Sequence, residues 1–383
     1  MSEEKKKILV LSAAVGAGHT TTARALVQAC EMEHPEAEAV WIDSFDLCPR
    51  IYGKFYKKLY NVLAGRFPHF YGYCYDKLDH EERYEKPRGL VTLIDTLFFR
   101  RFLKRVAAEK PDIIVCTHFQ PGDVVSILKR KEKIDCPVGV IVTDYYMHSF
   151  WEVKDADFYI VSTEEMKAIL VEKGFAPETI HVIGIPVRPE FVAPTDRAEI
   201  LEKIGCMEDV PIVLTVASGW RKRGPEVTVE ALMNTGIDMQ ILAVAGKNKE
   251  SKDRISALKP PSGVELKIFG FVDNIHEMMK VADVLVAKPG GVTTVEALAV
   301  GLPMLAINPV PGQEMGNCHY LQRMGAGALV NRLGSLKYHL RAILGDKARG
   351  TQMRECARRA GRPRAAFEII DLLLKMHREG VRR

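Results

Sequence analysis

Two glycine-containing segments of this sequence place polar side chains where a ligand can approach the backbone. The first is Ser12-Ala-Ala-Val-Gly-Ala-Gly-His19, and the second is Lys288-Pro-Gly-Gly-Val-Thr-Thr-Val-Glu296. Each follows a short apolar run that is typical of a buried parallel strand, and each leads into a helical pattern. Because open α/β sheets bind ligands at the carboxyl ends of their strands, both segments are candidate site loops.

The first loop carries a histidine but no standard phosphate-binding pattern. Gly16 and Gly18 are followed by Thr21 where a dinucleotide fingerprint needs its third glycine, and no G-K-[ST] follows. An imidazole with a pKa near neutrality can accept a proton from a hydroxyl nucleophile. We therefore predict that His19 is a general base at the start of the first helix. The alternative is a histidine that only caps the helix or packs against it.

The second segment is suited to binding a diphosphate. A helix that opens near Val292 offers free N–H groups and the positive end of its dipole, which can hold a diphosphate without a metal. Thr293 and Thr294 add hydroxyl groups, and the Glu296 carboxylate can accept hydrogen bonds from a ribose. The alternative for Glu296 is an ordinary glutamate near the helix start. We expect no metal site, because no D-x-D pair follows a strand.

Further strand ends on the same rim extend this predicted sugar-donor site. The predicted donor-binding residues are Gly18, Gly219, Gly246, Lys247, Asn248, Phe271, Val272, Gly290, Gly291, Thr293, Thr294, Glu296, Gln313, Glu314 and Asn317. Helix capping is the alternative role for the polar residues at 313–317.

Strand-like and helix-like segments alternate along the chain, which predicts parallel doubly wound sheets. The predicted strands cover residues 8–14, 39–42, 112–116, 137–143 and 158–162, and then 211–217, 239–245, 265–269, 284–287 and 303–307. Prolines at 186, 189 and 194 separate the two series. We predict an α/β chain of two Rossmann-like domains whose parallel sheets face each other across a cleft. Residues 1–190 are predicted to form an N-terminal domain that binds the acceptor and the membrane. Residues 191–383 are predicted to form a C-terminal domain that binds the sugar donor and includes the C-terminal helices.

Charge and aromatic residues are concentrated in one segment. Residues 50–105 hold thirteen Lys/Arg against six Asp/Glu, a net +7, while the whole chain carries +5. The same segment has thirteen of the thirty aromatic residues. We expect residues 52–75 and 97–105 to dock on anionic membrane lipid, the alternative being a solvated helical face over an aromatic core. Because the segment lacks a nucleic-acid reading motif, we expect no nucleic-acid partner.

The sequence also predicts a location. No apolar stretch of the sequence approaches the roughly 18 residues of a spanning helix, and the first residues lack a signal-peptide pattern. The eight cysteines form no C-x-x-C pair and are expected to be reduced thiols. The expected location is cytoplasmic, peripheral on the inner face of the cell membrane.

Five motifs occur in an order that resembles one known family. They are Gly16-Ala-Gly-His19, Gly184-Ile-Pro-Val-Arg-Pro-Glu-Phe191, Gly246-Lys-Asn248, Lys288-Pro-Gly-Gly-Val-Thr-Thr-Val-Glu296 and Pro309-Val-Pro-Gly-Gln-Glu314. Over about residues 8–330 the chain closely resembles the bacterial diacylglycerol glucosyltransferases and the plant monogalactosyldiacylglycerol synthases. It resembles more distantly the N-acetylglucosaminyltransferase that makes lipid II. The resemblance implies a GT-B fold of glycosyltransferase family 28, an inverting mechanism without a cofactor, a UDP-sugar donor held by the C-terminal domain, and diacylglycerol as the acceptor.

The resemblance also implies roles for single residues. The histidine that matches His19 is the implied base, and the glutamate that matches Glu296 binds ribose. The segment Thr143-Asp-Tyr-Tyr-Met-His-Ser-Phe-Trp151 resembles the family's T-D-x-x-x-H-x-x-W segment, which makes Asp144 the fallback base. The candidate acceptor-side residues are His118, His148 and Trp151. The alternative for these residues is a polar group satisfied at a strand end.

One loop departs from the family pattern. The segment Ala217-Ser-Gly-Trp-Arg-Lys-Arg-Gly224 has fewer glycines than relatives usually have, although Gly219 can still approach a ligand closely. The basic residues at 221–223 either contact the diphosphate or are solvated. Two other functions stay open: a related UDP-sugar transferase with a soluble or polyprenyl-linked acceptor, and a non-catalytic UDP-sugar sensor. A sensor needs no base, so His19 discriminates between the enzyme and the sensor.

Overall fold

Residues 5–79, 94, 97–216 and 225–379 are described by a computed structural model of the chain. They form two α/β units, each built on a six-stranded parallel sheet. The first unit runs to Pro189 and includes the segment that starts at Arg364, and the second covers Glu190–Pro363. The predicted α/β class with two Rossmann-like sheets is confirmed.

The first sheet has the strand order β2-β1-β3-β4-β5-β6. Its strands are β1 (Lys6–Ser12), β2 (Ala37–Asp43), β3 (Ile113–Cys116), β4 (Val138–Ile141), β5 (Phe158–Val161) and β6 (Ile180–Val182). The three central strands β3, β4 and β5 are buried along their whole length, as expected of parallel strands covered by helices on both faces. Strand β1 pairs with β2 on one side and with β3 on the other, so a switch point lies between β1 and β3. Such a point opens a crevice at the carboxyl ends of the strands.

Apart from the last helix of the chain, the described part of the first unit has six helices between or beside these strands. They are α1 (Ala17–Glu33), α2 (Arg50–Arg66), α3 (Pro68–Leu78), α4 (Arg100–Glu109), α5 (Phe119–Arg130) and α6 (Glu164–Glu172). Helix α1 follows β1 directly and buries a stripe that includes Ala23, Leu26 and Cys30. Helix α2 packs through Tyr52 and Tyr56 against the core that β1 and β3 share.

The second sheet has the order β12-β11-β10-β7-β8-β9. Its strands are β7 (Ile212–Val216), β8 (Met239–Val244), β9 (Val264–Phe269), β10 (Val284–Ala287), β11 (Met304–Ile307) and β12 (Gly327–Val330). Its helices are α7 (Arg197–Ile204), α8 (Pro225–Met233), α9 (Lys249–Ser256), α10 (Ile275–Val281), α11 (Gly291–Ala299), α12 (Met315–Arg323), α13 (Leu336–Leu344) and α14 (Lys347–Ala360). The switch point of this sheet lies between β7 and β10, and α11 starts beside it.

The last helix, α15 (Ala365–Glu379), belongs to the first unit. The sequence analysis assigned it to the C-terminal domain, residues 191–383. Its apolar face is buried, with Phe367 and Ile370 almost fully covered. Arg364 donates to both carboxylate oxygens of Glu33, at the end of α1, at 3.0 Å each. The sequence shows that this helix is amphipathic, but a helical stripe does not specify which sheet it covers.

Two edge strands were absent from the sequence prediction. They are β6 and β12, which have only three and four residues. His181 and Gly327 weaken the strand pattern in these segments, because neither residue type favours a strand interior. A Cβ atom at Gly327 would lie 2.3 Å from the carbonyl oxygen of Met304, so only glycine fits there. Across the described ranges, no helix has both the length and the apolar composition needed to cross a bilayer.

Candidate active site

The switch point of the first sheet brings together three loops that are far apart in the sequence. His19 is the third residue of α1. The N-cap of this helix is Gly16, which is extended and has no side chain that could cap the helix. Thr117 and His118 follow β3, and Thr143 follows β4. Parallel strands end at the same edge of a sheet, so these residues meet beside the His19 ring.

Hydrogen bonds at Nδ1 fix the orientation of the His19 ring. Its Nδ1 lies 2.9 Å from the carbonyl oxygen of Thr117 and 3.0 Å from the hydroxyl oxygen of Thr143. A carbonyl oxygen can only accept, so Nδ1 carries the proton and donates it to Thr117. The neutral ring then has its lone pair on Nε2, which is the atom able to take up a proton.

Burial keeps this imidazole neutral, although part of the residue stays exposed to solvent. Desolvation lowers the pKa of His19 to about 4, and the hydrogen bond to Thr117 opposes that shift. Burial also lowers the pKa of His118 well below its ordinary value, and His19 adds to the shift. The two rings meet edge to face with centroids 4.5 Å apart, where two positive charges would repel each other. Both rings are therefore uncharged at neutral pH.

His118 has a structural task in this arrangement. Its Nδ1 accepts a hydrogen bond from the backbone N–H of Gln120 at 3.1 Å and so caps α5. Its ring also stacks on Phe119 with a centroid distance of 4.2 Å. The alternative given above for His118, a polar group satisfied at a strand end, is thus present, and a contact of His118 with an acceptor stays a prediction.

His148 is bound through both of its ring nitrogens. Nδ1 accepts from the backbone N–H of Phe150 at 3.0 Å, and Nε2 donates to the carbonyl oxygen of Tyr75 at 2.9 Å. The residue is fully buried, and desolvation lowers its pKa. Because neither nitrogen is left to exchange a proton, the geometry gives His148 a role in holding its segment in place.

The other two predicted residues of this segment, Asp144 and Trp151, are also buried. The Trp151 ring lies 6.2 Å from the His19 ring, measured between centroids. Burial raises the pKa of Tyr75 well above its ordinary value, and the negative charge of Asp144 adds to this shift.

The buried carboxylate of Asp43 supports the glycine loop, and no sequence motif indicates this role. Asp43, at the end of β2, accepts hydrogen bonds from the Ser12 hydroxyl at 3.0 Å and from the backbone N–H of Phe45 at 2.9 Å. Trp41 donates its indole N–H to Ser12 at 2.8 Å. These bonds fix the end of β1, immediately before the loop that leads to His19.

In the second unit, α11 begins without a side-chain cap. Gly290 is extended at the cap position, and its carbonyl oxygen accepts the first helical bond, from the N–H of Thr294 at 2.9 Å. No acidic residue lies in the first turn. The Thr294 hydroxyl is buried and has no hydrogen-bond partner within the described residues. An uncapped helix start with an unsatisfied hydroxyl can take up an anion.

Glu314 and Asn317 support the turn that precedes α11. Glu314 accepts from the backbone N–H of Val310 at 2.7 Å and forms a 3.1 Å ion pair with Lys288. Asn317 is fully buried and donates its side-chain amide to the carbonyl oxygen of Pro289 at 2.9 Å. Glu296 is also buried, one turn further along α11, and Gln313 and Thr293 are half-buried. Binding of a sugar donor by these residues stays a prediction.

The ends of β8 and β9 meet near the same edge of the second sheet. Gly246 has a φ of +64°, and a Cβ at the neighbouring Gly270 would lie 3.9 Å from the Gly246 carbonyl oxygen. Lys247 places its ammonium 4.7 Å from the centre of the exposed Phe271 ring, and Val272 is half-buried. Asn248 accepts from the N–H of Ser251 at 3.1 Å and caps α9. This edge therefore offers a flat aromatic face beside a cation.

The predicted donor contact of Gly219, and the basic residues at 221–223, lie outside the described residues. Within the described ranges, no three His, Cys, Asp or Glu side chains are grouped as a metal site would require.

Comparison with known proteins gives consistent matches along the chain. The family profile of monogalactosyldiacylglycerol (MGDG) synthase matches residues 19–187, and the profile of glycosyl transferases group 1 matches residues 196–360. The "processive diacylglycerol beta-glucosyltransferase" of Bacillus pumilus is 31% identical over 355 residues, which cover 91% of this chain and 90% of that protein.

Solved structures with the same fold are much more distant in sequence. MurG of Acinetobacter baumannii superposes with a TM-score of 0.62 at 15% identity, over 97% of this chain and 100% of MurG. Anabaena HepE in complex with UDP-glucose gives a TM-score of 0.57 at 14% identity, over 98% and 99% of the two chains. The fold with its two Rossmann-like units is that of the GT-B glycosyltransferases. The chain belongs to the diacylglycerol glucosyltransferase family, and it is a hexosyltransferase of that family.

Proposed function

We propose that this chain transfers a hexose from a UDP-sugar to the free hydroxyl of diacylglycerol at the cytoplasmic face of the membrane. The observation that carries the proposal is the Nδ1 bond of His19 to the Thr117 carbonyl oxygen. This bond leaves an unprotonated Nε2 on a ring that is neutral at physiological pH. A protein that only senses UDP-sugars has no use for such a base.

The reaction follows from this arrangement. Nε2 of His19 takes the proton of the acceptor hydroxyl as its oxygen attacks the anomeric carbon. The bond between the anomeric carbon and the diphosphate oxygen breaks, and its electron pair leaves with UDP. Attack from the face opposite the leaving UDP inverts the anomeric configuration. A positioned base contributes about 10²–10⁴-fold to such a step.

The donor half of the proposal rests on α11. Free N–H groups at its start, together with the Thr294 hydroxyl, can stabilise the diphosphate and its charge as UDP leaves. Glu296 would accept hydrogen bonds from the ribose, and the nucleobase would pack on the exposed Phe271 ring, on the face that Lys247 does not cover. We also propose that no metal is required, so that transfer should continue in the presence of EDTA.

The membrane half rests on the outer face of α2. Ile51, Phe55, Leu59 and Val62 recur at helical spacing, and all four are exposed, Ile51 to 85% and Phe55 to 63%. The exposed Lys54 and Lys58 lie on the same helix. An apolar stripe flanked by lysines suits the boundary between headgroups and acyl chains of an anionic membrane.

Vesicle sedimentation tests this docking. We expect Ile51→Ser/Phe55→Ser to abolish most binding to vesicles with anionic lipid, because two large apolar side chains lose their burial. Lys54→Gln/Lys58→Gln should weaken binding by about 1 kcal/mol per positive charge removed and abolish much of its salt dependence. Met32→Ser, at an exposed apolar residue of α1, is the matched control. Equal binding of wild type to neutral and anionic vesicles would contradict the proposal.

A radiolabelled transfer assay tests the activity itself. A panel of UDP-sugars is incubated with the protein and diacylglycerol in mixed micelles, and the lipids are extracted and analysed. We expect label in a glycolipid with one UDP-hexose. Label transferred only to a soluble or polyprenyl-linked acceptor would identify a related transferase, and UDP-sugar binding without transfer would identify a sensor.

A further inference from the structure

One carboxylate joins helix α3 to the segment 143–151, which carries the proposed acceptor-side residues. Asp79 caps the end of α3. Its Oδ1 accepts from the backbone N–H of Ser149 at 2.8 Å and from the Ser149 hydroxyl at 3.2 Å. Its Oδ2 accepts from the hydroxyl of Tyr146 at 2.5 Å. Three hydrogen bonds to one charged group hold two points of the segment to α3, and charged acceptors make the stronger bonds.

A second set of contacts lies one turn earlier on the same helix. The Tyr75 ring lies 3.8 Å from the His148 ring and 5.5 Å, edge to face, from the Phe150 ring, measured between centroids. The Tyr75 carbonyl oxygen also accepts the Nε2 proton of His148. Two successive turns of α3 therefore contact the segment, one through aromatic packing and one through Asp79.

Both ends of the same segment contact the proposed base. At its start, the Thr143 hydroxyl lies 3.0 Å from Nδ1 of His19. At its end, the Trp151 ring packs 6.2 Å from the His19 ring. A displacement of the segment would therefore change the surroundings of His19 from two sides.

The opposite side of α3 faces solvent with large apolar residues. Phe70 and Tyr73 are exposed to 59% and 60%. They continue the exposed apolar character of the preceding helix α2, which ends at Arg66. One short helix thus carries an exposed aromatic face and an inner face bound to the segment that contacts the base.

We propose that Asp79 is a positioning residue that fixes the segment 143–151, and through it His19, to α3, whose exposed face with Phe70 and Tyr73 would meet the lipid together with α2. This inference rests on the proposed function. Asp79 touches neither substrate: its carboxylate orients Ser149 and Tyr146, and their segment orients His19. Sugar transfer to an acceptor within a membrane then depends on Asp79, whereas binding of UDP by the second unit does not.

The test compares Asp79→Ala and Asp79→Asn with Asp76→Asn, which removes an exposed carboxylate from the same helix. Transfer to diacylglycerol in anionic vesicles, UDP affinity by calorimetry and vesicle binding are measured for each. We expect Asp79→Ala to lower kcat by about 10–100-fold, the scale of losing a charged hydrogen-bond acceptor, with UDP affinity and vesicle binding unchanged. Asp79→Asn should fall between, because its amide oxygen can still accept from Ser149. Asp76→Asn should match wild type.

A double-mutant cycle excludes a merely structural effect and covers the case that Asp79→Ala fails to fold. Tyr146→Phe removes a single hydrogen bond to Asp79. We expect its loss of kcat, a few-fold, to shrink in the Asp79→Asn background, because the amide nitrogen of the asparagine takes the place of the Oδ2 that accepts from Tyr146. Wild-type kcat in Asp79→Ala, or additive losses in the cycle, would overturn the inference. If wild type itself makes no glycolipid in this assay, the proposed function fails instead.

Discussion

The two candidate sites of this chain lie at the same kind of sheet crevice, but they differ in how far their polar groups are already hydrogen-bonded within the protein. In the first unit, the site side chains are already hydrogen-bonded within the protein: His19 to the Thr117 carbonyl oxygen and the Thr143 hydroxyl, and His118 to the backbone N–H of Gln120. In the second unit, α11 starts at an uncapped glycine, and the Thr294 hydroxyl has no partner within the described residues. In the first site Nδ1 of His19 is already bonded and Nε2 is the atom able to take up a proton, whereas the second site has hydrogen-bond donors to offer.

This difference follows from the two tasks proposed for them. A general base must keep one tautomer and one orientation before the substrate arrives, so its bonds are made within the protein. A diphosphate site must leave its donors unsatisfied until the ligand comes, and the ligand then satisfies them. Substitutions in the two units should therefore separate turnover from binding.

The largest effect is expected at the base. His19→Ala should lower kcat by about 10²–10⁴-fold, because no positioned base is then left to take the proton of the diacylglycerol hydroxyl. UDP affinity, measured by calorimetry, should change little. Asp144→Asn is run beside it. Near wild-type turnover of a folded His19→Ala together with a dead Asp144→Asn would transfer the role of base to Asp144.

The second unit should respond in the opposite way. Glu296→Ala is expected to weaken UDP binding by about 1.5–3 kcal/mol, the usual strength of a hydrogen bond to a charged group. This corresponds to about 10–150-fold in the dissociation constant. Calorimetric titration of UDP measures it, with His19→Ala as the control that should bind normally. Unchanged affinity in a folded Glu296→Ala would remove this residue from the site.

Thr294→Val sharpens the contrast, because binding and stability should change with opposite signs. Valine fills the same volume without a hydroxyl, so the unliganded protein should be as stable as wild type or slightly more stable. UDP affinity should fall by about 0.5–1.5 kcal/mol if the hydroxyl donates to the diphosphate. Thr22→Val is the matched control, since its hydroxyl in the first unit is also buried without a partner in the described chain. Thermal unfolding with and without UDP distinguishes the two: a smaller UDP-induced shift for Thr294→Val alone is expected.

The smallest effect on activity is expected from lowering the pH. The active form of His19 is the unprotonated one, so activity falls as pH drops through its pKa. With a pKa of about 4, kcat/KM should change less than about twofold between pH 7.5 and 5.5 from this group. A histidine with the ordinary pKa would lose about tenfold by pH 5.5. A fall centred near pH 6.5, with UDP affinity constant over the range, would show that the ring is not desolvated in the working enzyme.

The strand pattern and the loop chemistry could be predicted from the sequence because both are local. Buried apolar runs mark the central strands, and the glycines of 288–291 mark the start of α11 within one residue of its predicted position. The short edge strands β6 and β12 could not be predicted in the same way, since three or four residues with a histidine or a glycine carry no clear pattern.

The functional assignments were less local. His148 matches a family pattern, yet its ring is occupied by Tyr75 and Phe150, and Tyr75 is 73 residues away. The sequence predicts Glu314 and Asn317 as contacts of the sugar, and the structure shows them supporting the turn before α11. In each case a polar residue has two possible partners, the protein or the ligand, and spacing alone does not decide between them.

By itself, the sequence determined the α/β class, the two series of strands and the presence of a histidine and a glycine turn at strand ends. These depend on side-chain periodicity and backbone freedom, which act over a few residues. Only the tertiary structure decided the tautomer of His19, because its partners Thr117 and Thr143 are 98 and 124 positions away. It also decided that α15 packs beside α1, and that Asp79 joins α3 to the acceptor-side segment. Contacts of this kind depend on which strands become neighbours, and no single stretch of the chain specifies the order of strands in a sheet.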